Sequence, residues 1–129
     1  MKIYLTSSVI FALLSSSRKT IIQKLLLESL DNHDRFYTSS LSVFLLFQLL
    51  GDIEVEKKKQ ILRYLEDLTD SIFDLDTEGL RTQIFMSETC DIEMAIAIKE
   101  GMDTVLVDLE REITSLPLLL VRNFFWETK

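Results

Sequence analysis

The residues that could do chemistry are few and widely spaced along the chain. Three hydroxyl residues, Thr6, Ser7 and Ser8, follow a short apolar run, Ile3-Tyr4-Leu5. Further on, Asp91 opens a helical stretch, Glu93 lies two residues past it, and Asp108 ends an apolar run. Carboxylates that converge can hold Mg²⁺ or Mn²⁺, because these hard cations take charged oxygen ligands. Each acid also has a structural use. An acid in the first turn of a helix meets the positive end of the helix dipole, which accounts for Asp91. Asp108 sits at the carboxyl end of a strand, the side on which open α/β sheets build sites. It could equally cap the turn at residues 109–112. Cys90 is the single cysteine, which excludes a disulfide framework and a multi-cysteine metal site. With no visible base beside it, it reads as a small buried apolar residue. His33, the only histidine, falls in the polar turn at residues 31–34, with no second histidine for zinc and no triad in view.

The elements that must position these residues follow from the hydrophobic pattern. Ile3-Tyr4-Leu5 is a strand, the hydroxyl residues are helix-capping types, and Val9 to Leu14 is a buried helix. Residues 18–31 form a second helix, with Ile21, Ile22, Leu25, Leu26 and Leu30 on one side and Arg18, Lys19, Gln23, Lys24 and Glu28 on the other. Residues 35–38 are a short strand. Ser39 and Ser40 then cap a helix at 41–50 that is apolar around most of its circumference. A helix of that kind is buried, here in the domain centre or in a dimer interface. Gly51-Asp52 breaks it. A charged helix follows at 53–70, with a stripe of Ile61, Leu62, Leu65 and Leu68. Next come a strand at 72–75, a helix at 77–87 with Leu80, Ile84 and Phe85 inward, and a helix at 90–101 ending at Gly101. A buried strand at 104–108 and a last strand at 114–121 complete the order. Pro117 gives that last strand an edge position, and the aromatics of residues 123–126 pack on the core.

This order describes an α/β fold: a small, mainly parallel sheet between layers of helices, in one domain spanning residues 1–129. Apolar residues make up 47% of the chain and the mean hydropathy is +0.19. So large an apolar share implies a large core or an apolar surface that meets a partner. No run approaches the ~18 apolar residues of a membrane span. The N-terminal apolar stretch is interrupted by hydroxyls and reads as no signal peptide, so the expected location is the cytoplasm. The net charge of −7 disfavours broad electrostatic binding to nucleic acid, which relies on Lys and Arg displacing counterions. The one dense basic cluster, Lys57-Lys58-Lys59 with Arg63, is flanked by acids and reads as a solvated helix face.

The opening strand and Thr6-Ser7-Ser8-Val9-Ile10 resemble the start of a PIN domain, the fold of VapC-type ribonuclease toxins, where Asp-Thr-Ser-Val-Ile is common. A second match lies at residues 89–108: an amphipathic helix with Ala95 and Ala97, then Gly101, then an apolar strand. The resemblance implies a three-layer PIN-like sandwich. It also implies metal-dependent cleavage of RNA by three or four carboxylates around Mg²⁺ or Mn²⁺. The four acid positions of the family fall here on Thr6, Leu45, Cys90 and Leu109, none of which is an acid. Shifting the second motif by one residue would place two of them on Asp91 and Asp108 instead.

Leucine cannot ligate a metal, and a thiol is a poor partner for Mg²⁺. The expectation is therefore a degenerate PIN-like domain with no catalytic or metal-binding residues and no cofactor. It would act through homodimerisation or through an antitoxin-like protein or RNA partner. Two alternatives stand beside it. One is a toxin-like ribonuclease with displaced ligands, using Asp91 and Asp108 with a third acid such as Glu93 and a Mg²⁺ or Mn²⁺ cofactor. The other is a small α/β regulatory domain unrelated to nucleases. A receiver-type domain would need an acidic cluster after the first strand, which Thr6-Ser7-Ser8 lacks.

Overall fold

The computed structural model describes every residue except 16, 86–90, 112, 114–118 and 128–129, and only the backbone of 15 and 85. Five strands form one sheet in the order β3-β2-β1-β4-β5, and every neighbouring pair is parallel. They are β1 (Lys2–Leu5), β2 (Arg35–Ser39), β3 (Ser71–Phe73), β4 (Thr104–Val107) and β5 (Leu120–Asn123). Helices α1 (Ser7–Ser15) and α2 (Lys19–Asp31) connect β1 to β2, and α3 (Ser40–Leu50) and α4 (Val55–Leu68) connect β2 to β3. Then α5 (Thr77–Phe85) and α6 (Ile92–Lys99) carry the chain across to β4 on the far side of β1. A short α7 (Phe124–Glu127) follows β5. The direction of winding reverses between β1 and β4, so their carboxyl ends flank the crevice where α/β sheets place sites.

A parallel sheet is covered on both faces, so its strands carry apolar residues on both. Side chains alternate between the two faces, which divides the core in two. Ile3 and Leu5 of β1 and Leu106 of β4 join α1, α2, α3 and α4 in one cluster. Tyr4 of β1 and Val105 of β4 join Met94, Ala95, Ile96 and Ala97 of α6 in the other. Every residue of β4 is buried.

Turns use the residue types their backbones require. Gly51 ends α3 and Gly101 follows α6, each at a positive φ that favours glycine. His33 adopts φ 65° in the turn after α2, and the residue is exposed, as the sequence implies.

Three local expectations need correction. The helix at 41–50 is not buried all round. Ser42, Val43 and Leu46 face inward, while Phe44 is 58% and Leu49 54% exposed. A helix touching the core along one side buries only that side, whatever its outer residues are. In α5, Leu80 and Ile84 point outward, at 47% and 69% exposure; the Phe85 side chain lies outside the described residues. Of the closing aromatics only Phe124 enters the core; Phe125 is half-buried and packs edge-on against the exposed Trp126. The last strand, β5, spans Leu120–Asn123 and lies at a sheet edge; residues 114–118, where its start was expected, lie outside the described residues. Pro117, from which the edge was inferred, is outside the described residues.

Candidate functional site

At the carboxyl ends of β1, β2 and β4 the chain gathers hydroxyls and acids into two separate polar cells. The first is centred on Glu93. Its side chain leaves α6 on the face toward the ends of β1 and β2 and is buried. It accepts hydrogen bonds from the Ser7 backbone N–H at 2.7 Å, the Ser7 hydroxyl at 2.9 Å and the Ser42 hydroxyl at 2.6 Å. Ser7 is the first residue of α1, so Glu93 binds an unpaired N–H at a helix start, where the dipole favours negative charge. Behind it runs a chain of buried hydroxyls. The Tyr4 hydroxyl lies 2.6 Å from both the Ser39 and the Ser42 hydroxyls. Ser39 also caps α3 by accepting from the Ser42 N–H at 3.1 Å. Burial pushes the Glu93 carboxyl above its ordinary value; its three donors and the charge of nearby Asp91 act on it less strongly. Burial likewise pushes the Tyr4 phenol up.

The second cell is centred on Asp108, just past β4. Both its oxygens are taken by the Arg18 guanidinium, Nε and Nη2 each donating at 2.8 Å. Nη2 also donates to the Phe124 carbonyl at 3.1 Å, and the guanidinium lies over the Phe125 ring at 5.1 Å. The Asp108 backbone N–H donates to Ser8 Oγ at 3.1 Å. Next to it, the loop after β4 is held by Asn123. That side chain accepts from the Leu109 and Phe125 N–H groups and donates to the Leu109 and Arg111 carbonyls.

Of the four positions at which the resemblance expects acids, three lie among the described residues. Thr6 is buried at the end of β1, but its hydroxyl does not cap α1. It donates across the crevice to the Leu106 carbonyl at 2.7 Å and lies 3.0 Å from Ser8 Oγ. Leu45 is half-buried on α3, one turn beyond Ser42. Leu109 is half-buried in the loop held by Asn123. Cys90 lies outside the described residues. Asp91 is the N-cap of α6, its carboxylate accepting from the Met94 N–H at 2.9 Å.

Three acids raised by the sequence thus have three separate occupations, one in a helix cap, one among hydroxyls and one in an ion pair. Among the described residues no three of His, Cys, Asp and Glu are grouped to hold a metal ion. Among the described residues the acids do not turn toward one point, as Mg²⁺ or Mn²⁺ held by converging carboxylates would require. Sequence reasoning missed Arg18 as a central residue and raised Glu93 only as a possible third metal ligand. Arg18 carried no local signal, because it reads as one more charge on a helix surface. Glu93 did carry one: it is a lone charge within an apolar run, between Ile92 and Met94.

Away from this edge, an apolar groove runs between α1, α2 and α4. Leu26, Leu27, Leu30 and Leu68 line one end. Leu13, Gln23 and Tyr64 continue it to a second hollow where Lys19 of α2 and Lys57 of α4 stand at the rim. The basic cluster is otherwise as read: Lys59 pairs with Glu56 on the exposed face, and Lys58 sits over the Phe47 ring. Among the described residues no helix is long and apolar enough to cross a membrane.

No family model matches the chain, and no curated protein matches it either. Among solved structures it is similar to a chain in the crystal structure of VapBC2 from Rickettsia felis bound to a DNA fragment from their promoter. The TM-score is 0.68 with 17% identity, covering 95% of this chain and 98% of that one. At this identity the likeness concerns architecture, and the architecture agrees with the one that Thr6-Ser7-Ser8-Val9-Ile10 and residues 89–108 imply: the fold is PIN-like.

Proposed function

We propose that this chain is a PIN-like domain that no longer cleaves RNA and acts by binding. The observation that carries the reading is the occupation of the sheet edge. Asp108 is held by Arg18, Glu93 by Ser7 and Ser42, and Asp91 by the start of α6. Thr6, at the first family acid position, spends its hydroxyl on the Leu106 carbonyl. Self-satisfied groups of this kind have no reason to recruit a cation, because each would first have to give up a buried bond.

Two surfaces are available for binding. The outer face of α3, with Phe44 and Leu49, would pair with a second copy of the chain. The groove between α1, α2 and α4 would take an antitoxin-like polypeptide, its apolar side chains on Leu26, Leu27 and Leu30 and an acidic residue at Lys19 and Lys57. This partner class is supported by the neighbour, which is itself a complex. RNA is the less favoured partner, since the net charge is −7.

The test is calorimetric titration with Mn²⁺ alongside an RNA-cleavage assay in the same buffer. The expected result is neither heat of binding nor cleavage. Binding and cleavage that are both lost on Asp108→Asn would overturn the reading and make the chain a nuclease with displaced ligands.

A further inference from the structure

We propose that Arg18 is the resident cation of the sheet edge. Its guanidinium takes, within the chain, the place a bound cation would take beside Asp108, and it fastens α2, β4 and α7 together there. The geometry separates this contact from an ordinary surface pair. The Asp108 side chain is 5% exposed and that of Arg18 21%, and both carboxylate oxygens are engaged by parallel N–H donors. A third donation reaches the Phe124 carbonyl, and the flat face of the group covers Phe125. One side chain at the start of α2 therefore reaches the end of β4, the Phe124 carbonyl and the Phe125 ring of α7. An ammonium could not do this, having neither the planar fork nor the stacking face.

The contrast with Glu93 supports the assignment. Glu93 is buried without a cation and is met by an N–H and two hydroxyls. Asp108 has one backbone N–H and one hydroxyl near it, but they bond each other: its N–H donates to Ser8 Oγ. Its charge is balanced by Arg18. A buried carboxylate stripped of its only cation is strongly unfavourable, whereas an exposed pair would be nearly neutral. The role is one of positioning: Arg18 sets where Asp108 and α7 lie.

The test is a thermal-unfolding cycle on the full chain with Arg18→Ala, Asp108→Asn and the double variant, each with and without millimolar methylguanidinium. Arg18→Ala should lower Tm by about 5–10 °C. Methylguanidinium should recover part of that loss in Arg18→Ala and none in the double variant, where the carboxylate that binds it is gone. Arg18→Lys should fall between Arg18→Ala and the unsubstituted chain. A Tm for Arg18→Ala within about 2 °C of the unsubstituted chain would overturn the proposal, as would equal recovery with and without Asp108. If Arg18→Ala does not fold, Arg18→Gln enters the same cycle with the same two outcomes. The inference is separable from the binding reading above. RNA cleavage through other residues would leave it standing, and absent recovery would leave the binding reading standing.

Discussion

Glu93 is a buried carboxyl whose charge ties stability to pH in the acid-to-neutral range. Its carboxyl is raised in the folded chain, chiefly by burial, so the folded state holds the proton more tightly than the unfolded one. The sign follows from proton counting: stability falls as pH climbs from the ordinary carboxylate range toward the raised folded value. Glu93 ionisation thus costs stability at neutral pH, and that cost disappears in acid. Glu93→Gln should keep the shape, remove this slope and leave neutral-pH stability equal or higher, as read by urea unfolding at pH 4 and pH 7. Glu93→Ala should instead lose about 2–3 kcal/mol, because Ser7 and Ser42 would be left without their acceptor. A second residue offers a gain. The Thr104 hydroxyl is fully buried in β4 and has no hydrogen-bond partner among the described residues. Thr104→Val keeps the volume and removes that orphan, so Tm should rise by ~3–4 °C, equivalent to about 1 kcal/mol.

At the scale of elements, most of the chain was legible and the reasons are local. Alternation, capping hydroxyls, glycine stops and apolar runs act over a few residues, so they mark β1, β2, β4, α2, α3 and α6 close to their observed bounds. The site was less legible because its contacts are distant in sequence. Ser7 meets Glu93 across 86 residues and Arg18 meets Asp108 across 90. The facing of α3 and α5 was missed for a related reason: composition says how apolar a helix is, and packing decides which side is covered. That outer side of α3 is the place to test self-association. Phe44→Glu combined with Leu49→Glu should leave the circular dichroism spectrum unchanged and give a monomer by light scattering, against a dimer for the unsubstituted chain. A monomer at every concentration before substitution would remove the dimer from the proposal. The loop after β4 gives another test at this scale. Asn123 closes it with three hydrogen bonds and makes a fourth to the Phe125 N–H of α7, so Asn123→Ala should cost about 2 kcal/mol in urea unfolding, with the slope against denaturant unchanged.

At the scale of the whole molecule, Asp91, Glu93 and Asp108 at the sheet edge are each engaged by the chain's own groups. The expected consequence is indifference to divalent ions. Tm should be the same in EDTA, Mg²⁺ and Mn²⁺, since a ligand raises stability only by binding the folded state. A Tm that climbs with Mn²⁺ concentration would mean that the donor set has been misjudged.

The sheet order also sets a timetable. β1 is formed from residues 2–5, yet one of its two partners is β4 at residues 104–107. The partner on its other side, β2, needs only the first 39 residues. As the chain emerges, β1, β2 and β3 can pair with α1 to α4 and bury most of one cluster early, leaving places for Leu106 and Phe124. Meanwhile the inner edge of β1 waits with its backbone groups unpaired, an invitation to wrong partners. Both polar cells complete only when α6 and β4 arrive, since Glu93 and Asp108 come with them. Loop-closure entropy makes closing that long loop the expected slow step. Substitutions at the β1–β4 seam, and on α4, which is already packed when that seam closes, should therefore both slow refolding.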